Sequence, residues 1–136
     1  MTVDYVNNTN QRTPCVLVLD ASYSMSTKTS SGKTRMQLLN EGLQEFEAAL
    51  KSDTTALTRV QVSVVIVGGP NSTAELLMDW TDASYFSSFK LTEGGNTPLA
   101  EGLEVGLNLI ETAKQNLDQN GVRHTRPWMY VMSDGE

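Results

Sequence analysis

Val16-Leu17-Val18-Leu19-Asp20-Ala21-Ser22-Tyr23-Ser24 is an apolar run that stops at an aspartate and continues with hydroxyls at alternate positions. The apolar part reads as a strand buried on both faces, as in parallel sheets. The polar part, Asp20-x-Ser22-x-Ser24, is then expected in a loop at the carboxyl end of that strand, where open α/β sheets bind ligands. One carboxylate and two hydroxyls are hard oxygen donors that suit magnesium, manganese or calcium. They are too few to hold such an ion alone, so further ligands must come from elsewhere in the chain.

Two later stretches offer them. Gly94-Gly95-Asn96-Thr97-Pro98 puts a hydroxyl, Thr97, just before a helix. Tyr130-Val131-Met132-Ser133-Asp134-Gly135 puts a second carboxylate, Asp134, at the end of another apolar strand. Within its own stretch Thr97 has two readings. It can cap the next helix, with Pro98 at the first helical position, or it can ligate a metal through its hydroxyl. The two compete only in part, because a hydroxyl oxygen can accept a backbone hydrogen bond and still present a second lone pair. Beside Asp20 and Asp134 the ligand reading is preferred.

This series of an Asp-x-Ser-x-Ser motif, a distant threonine and a distant aspartate in an apolar-Ser-Asp-Gly context resembles the metal-ion-dependent adhesion site (MIDAS) of von Willebrand factor A (VWA) domains. All five positions match: Asp20, Ser22, Ser24, Thr97 and Asp134. The resemblance covers about residues 13–136. Gly95-x-Thr97-Pro98-Leu99 and Ser133-Asp134-Gly135-Glu136 resemble in particular the small bacterial VWA proteins of the tellurium-resistance (TerY-type) group. The resemblance implies a divalent cation, with magnesium first and manganese or calcium as alternatives. It implies a protein partner that donates an acidic side chain to the metal, and a place in bacterial stress response or tellurium resistance. Family members usually continue past the Asp-Gly-Glu segment with two more strands and their helices, so the domain is expected to be truncated at its C-terminus.

Composition narrows the remaining classes. A chain of 136 residues supports one domain with a real core. The net charge of −6 disfavours nucleic acid and anionic membrane, both of which want a basic face. Mean hydropathy is −0.28, and no segment approaches the length of ~20 apolar residues needed to cross a bilayer. Residues 1–13 are polar and lack the apolar centre of a secretory signal. The single cysteine, Cys15, cannot form an intrachain disulfide, which points to a reducing, cytoplasmic setting.

Taken in order, residues 1–13 read as a flexible arm and 14–136 as the VWA domain. Strands are expected over about 15–19, 60–67, 74–80 and 127–132. Met36, Leu39, Leu43, Phe46 and Leu50 recur on one face of a helix over about 35–51, and Thr34 with Gln37 can form its capping box. Asp53-Thr54-Thr55 reads as a turn. Ala83 to Phe89 reads as a short helical turn. Leu99, Leu103, Leu107, Ile110, Ala113 and Leu117 define a second helix over about 98–118, in which Gly102 and Gly106 suit close packing on the sheet. Gly68-Gly69-Pro70-Asn71 is a tight turn, so the third strand should run antiparallel at the sheet edge.

The right-handed crossover rule then favours a doubly wound, Rossmann-like α/β sheet in the order 3-2-1-4. In that order the first and fourth strands are neighbours, and Asp20, Thr97 and Asp134 converge. Ser31-Gly32-Lys33-Thr34 resembles the tail of a phosphate-binding loop, but Thr27 stands where that motif needs glycine. His124 has no second histidine or cysteine at a ligand spacing and reads as exposed. No histidine or lysine stands at the site as a general base, so a binding module is preferred to an enzyme. A metal-dependent, phosphatase-like hydrolase and an inert structural domain are the alternatives. Stopping at Glu136 leaves the fourth strand as an edge without charge or bulge, which favours self-association through that edge.

Overall fold

Alternation along β1 (Thr13–Ala21) sends Leu17, Leu19 and Ala21 to one side of a sheet and Val16 and Val18 to the other, and all five are buried. A strand with no wet face must be central, and β1 is. In the computed structural model, which describes residues 11–68, 73–87, 89, 91, 93–94 and 99–132, it lies between β2 (Val60–Gly68) and β4 (Trp128–Met132) and parallel to both. The third strand, β3 (Thr73–Asp82), runs antiparallel to β2. Among the described residues the sheet is four-stranded, in the order β3-β2-β1-β4 expected from the connections.

The helices divide between the two faces. Thr34 and Gln37 form the expected capping box at the start of α1 (Arg35–Ser52): the Gln37 N–H donates to Thr34 Oγ1 at 3.1 Å, and the Thr34 N–H donates to Gln37 Oε1 at 2.8 Å. Met36, Leu39, Leu43 and Leu50 of α1 bury against Cys15, Leu17 and Leu19. Phe86 joins this layer, with its ring set edge-on to Phe46 at 5.5 Å. On the opposite face, α3 (Leu99–Gln119) packs on Val16, Val18, Val65, Val67 and Trp80. Trp80 is packing, as its sequence context suggested, and its Nε1–H donates to the Leu109 carbonyl at 3.2 Å.

Four local expectations are corrected. Asp53-Thr54-Thr55 is not a simple turn: the Asp53 carboxylate accepts the N–H groups of Thr55 and Ala56 and caps α2 (Thr54–Arg59). Capping by a short acidic side chain offsets the weak apolar period of this helix. On α3 the expected row departs at Leu107, which is 62% exposed, while Ala113 and Leu117 of that row are buried, as are Gly102 and Gly106. Small residues let the helix backbone approach the sheet, and that closeness outweighs burial of another leucine. His124 is only partly exposed and lies 3.4 Å from Asp118.

The last correction concerns residues 12 and 13, expected in a flexible arm. Thr13 already belongs to β1, and Arg12 is fully buried in a two-pronged ion pair with Asp82, Nε to Oδ1 at 3.0 Å and Nη2 to Oδ2 at 3.3 Å. Its backbone is fastened as well, to the Arg123 carbonyl and the Thr125 N–H, each at 2.8 Å. An arginine in a polar stretch gives no sign of such burial until its carboxylate partner is located. The rest of the expected arm, 1–10, lies outside the described residues. No helix among the described residues is long and apolar enough to cross a membrane.

Close packing of α3 has a measurable consequence. A Cβ on Gly102 would stand 2.4 Å from Val67 Cγ2 and 3.3 Å from Val18 Cγ1, whereas one on Gly42 in α1 would meet nothing within 4 Å. Gly102→Ala should therefore cost about 1–3 kcal/mol through overpacking, while Gly42→Ala should gain up to about 1 kcal/mol of helix propensity. Urea unfolding of the two variants, compared with the parent, checks both signs.

Burial also fixes the chemistry of Cys15, whose thiol is pushed up from 9.0 to about 12. The unfolded chain releases this proton above about pH 9 and the folded chain retains it, so the contribution is intact below pH 9 and is lost as pH rises towards 12. Unfolding free energy should fall over this window, by up to about 1.4 kcal/mol per pH unit from this group. Cys15→Ala should flatten the slope in denaturant titrations across that range.

Candidate metal centre

The carboxyl end of β1 is built from Asp20 outwards. Asp20 is still within the strand, not in the loop expected for it, and it is 1% exposed. Its Oδ1 accepts the Ser22 N–H at 2.8 Å, which turns the chain sharply as it leaves the sheet. Ser22 is buried and precedes a single 3-10 turn, Tyr23–Ser26, so Ser24 is also in regular structure. The Met25 N–H donates to the Ser22 carbonyl at 3.0 Å, and the Thr27 N–H donates to the Ser24 carbonyl at 3.1 Å. Met25 drops its buried side chain into the core below α1 and holds the turn down.

The turn brings the two hydroxyls together. Ser22 Oγ and Ser24 Oγ are 3.1 Å apart, and the Ser22 backbone is already tied to Asp20. The structure thus gathers Asp20, Ser22 and Ser24, three of the five expected ligands, at the end of the central strand. Thr97 and Asp134 lie outside the described residues. The framework leading to both is visible: β4 runs parallel to β1 with Met132 beside Leu19, and α3 starts at Leu99. Among the described residues no three acidic, histidine or cysteine side chains converge. Of the two expected carboxylates, only Asp20 lies within that set.

Sequence reading missed how the segment before Thr97 is fastened. The Gly94 N–H donates to the Ala21 carbonyl at 2.8 Å. Three residues earlier, the Asn40 side chain on α1 takes both backbone groups of Leu91: Nδ2 donates to its carbonyl at 3.1 Å, and Oδ1 accepts its N–H at 2.8 Å. Asn40 sits beside the apolar stripe of α1, between Met36 and Leu43, and a polar residue in that place was the available signal.

Other candidates fall away from this end of the sheet. Arg12 and His124 form a bridge just before β1 begins, so His124 is at the opposite end from Asp20. The loop with the phosphate-site resemblance is an exposed turn closed by the Thr29 N–H on the Lys33 carbonyl at 2.8 Å, with Gly32 at φ 83°. Its Lys33 pairs with Glu41 at 2.5 Å, and its Thr34 is spent on capping α1.

The donor set fits a hard divalent cation. Asp20 offers a carboxylate, and Ser22 and Ser24 offer hydroxyls held by backbone hydrogen bonds before any ion arrives. The cysteine is buried on β1, five residues before Asp20.

Comparison with known proteins agrees with this architecture. No curated protein matches the chain. Among solved structures, it is similar to the SpRpn10 VWA domain, with a TM-score of 0.56 and 12% identity over 92% of this chain and 62% of that one. It is also similar to an uncharacterized protein from Alicyclobacillus acidocaldarius, with a TM-score of 0.58 and 18% identity over 81% and 45% of the two chains. An uncharacterized membrane spanning protein from Vibrio fischeri gives a TM-score of 0.54 and 19% identity over 76% and 52%. At these identities the likeness is one of fold, and the chain spans about half to three-fifths of each neighbour. The family model for the von Willebrand factor type A domain matches residues 15–136. With that match over nearly the whole length, and the 3-2-1-4 sheet beneath it, the chain belongs to the von Willebrand factor type A domain family.

Proposed function

We propose that this VWA domain is a protein-binding module whose contact depends on a divalent cation, magnesium in the first place. One observation carries the reading: Asp20, Ser22 and Ser24 are brought together, hydrogen-bonded and largely buried, at the carboxyl end of the central strand. Thr97 and Asp134 complete the ligand set on the strength of their sequence motifs. When bound, the cation supplies positive charge and an open coordination position for a carboxylate of the partner protein. The chain's part is to hold the oxygens in place. Asp20 fixes the turn through the Ser22 N–H, and that turn sets the spacing of the two hydroxyls.

The domain is read as non-enzymatic, because the residues named as ligands include no histidine or lysine to serve as general base and no activated nucleophile. A phosphatase-like hydrolase would instead turn over phosphoesters in a metal-dependent assay. The tellurium-resistance and stress-response reading rests on the motifs around Thr97 and Asp134.

Calorimetric titration with magnesium tests the site. Asp20→Ala should abolish measurable binding, since it removes a full charge. Ser22→Ala should weaken binding about tenfold, equivalent to about 1.4 kcal/mol, since water can replace a hydroxyl. Capture of a protein partner should fail in EDTA and return with magnesium. Unchanged magnesium binding by Asp20→Ala would remove the assignment.

Self-association through the edge of β4 is a second reading, favoured by one surface. Trp128 and Tyr130 stack at 6.1 Å, stand 56% and 46% exposed, and flank an apolar pocket that also includes Phe46, Leu50 and Val60. Among the described residues β4 is an edge of the sheet, and exposed strand edges can template pairing with another chain. Light scattering should then show a mass that rises with concentration, and Tyr130→Lys should return it to that of a monomer. A concentration-independent monomer in the parent protein would discard this reading.

A further inference from the structure

Leu91 is buried beneath α1, where its backbone N–H and C=O need partners that water cannot supply. Among the described residues no strand provides them. Both are met by the single side chain of Asn40, 51 residues away, through hydrogen bonds of 2.8 and 3.1 Å. Only one orientation of the amide satisfies a donor and an acceptor together, so the contact fixes position and direction at once. Three residues on, the Gly94 N–H reaches the Ala21 carbonyl at 2.8 Å. Ala21 lies between Asp20 and Ser22. A short polar chain therefore runs from α1, through Leu91 and Gly94, to the backbone of the candidate metal centre.

We infer that Asn40 is a positioning residue for that centre: it fixes Leu91, and Gly94, three residues on, braces β1 between Asp20 and Ser22. This rests on the cation reading given above. Asn40 sits on the face of α1 next to buried Leu39 and Leu43, so its amide is carried on a rigid, capped helix. Leu91 is further held by its own burial, and Phe86 and Phe89 pack in the same layer at 6.5 Å from each other. Apolar burial alone keeps the segment near α1 but does not set its register. The paired hydrogen bonds do.

The test uses the full chain, magnesium titration, and amide hydrogen exchange by NMR in metal-free buffer. Asn40→Ala should weaken magnesium binding about tenfold, in the range seen when groups behind metal ligands are removed. It should speed exchange at Gly94 as well as at Leu91. Trp80→Phe, which removes a hydrogen bond on the opposite face, serves as the control and should leave magnesium affinity within about twofold. If Asn40→Ala does not fold, Asn40→Ser is used, and the same two effects are expected. Parental affinity in the Asn40 variant, or fast exchange at Leu91 with Gly94 unchanged, would reduce Asn40 to a local packing role and overturn the inference. If the parent protein itself binds no magnesium, the cation reading fails separately, and exchange at Gly94 alone decides whether Asn40 braces the end of β1.

Discussion

Burial of β1 on both faces is the constraint from which the rest follows. A strand that reaches water on neither side must have strands on both edges and helices above and below. Parallel neighbours require crossover connections, and the right-handed rule leaves few ways to make them. The crossovers place α1 on one face and α3 on the other, and the chain reverses its winding between β1 and β4. The carboxyl end of β1 is therefore a meeting point of segments distant in sequence. Any polar group placed there is drawn into a shared, shielded environment, and Asp20 is such a group at 1% exposure.

The two ends of the sheet handle buried charge differently. At the end where β1 begins, Asp82 is matched by Arg12 in a two-pronged pair with both side chains essentially dry. Such a pair contributes little net stability, but removing one partner leaves a buried charge and costs about 3–5 kcal/mol. It closes that end. At the other end, Asp20 directs an oxygen to the Ser22 N–H, and the Ser22 and Ser24 hydroxyls stand 3.1 Å apart.

Strand order, the antiparallel third strand and the capping box were legible because each follows from a local signal: an apolar run, a Gly-Gly-Pro-Asn turn, a Thr-x-x-Gln spacing. The nearness of Asp20, Ser22 and Ser24 follows from the same kind of signal, since residues two apart are placed by one turn. The exposure of Leu107 was not legible. Leucines at helical spacing mark more than one stripe, and the close approach of Gly102 and Gly106 to Val18 and Val67 leaves this one facing out. Arg12 with Asp82 and Asn40 with Leu91 were hidden too, because the partners are 70 and 51 positions apart and a polar residue does not by itself name its partner. Sequence patterns report periodic burial; they do not report which polar residue meets which.

That blind spot coincides with what a binding site at this location needs. A strand end can be aimed by the sheet, but the loops around it lack a ladder to fix their register. Extra apolar residues would pull such a loop inward without orienting it. Directional contacts orient it, and few are needed if each captures a backbone group: Asp20 on Ser22, Gly94 on Ala21, Asn40 on Leu91. The precision of the oxygens at the end of β1 is then set by a handful of hydrogen bonds, while the stability of the fold is set by the apolar layers beneath. The two properties are separable. Substitutions at Gly102 should move stability and those at Asn40 should move affinity, although both residues lie on helices that cover the same strand.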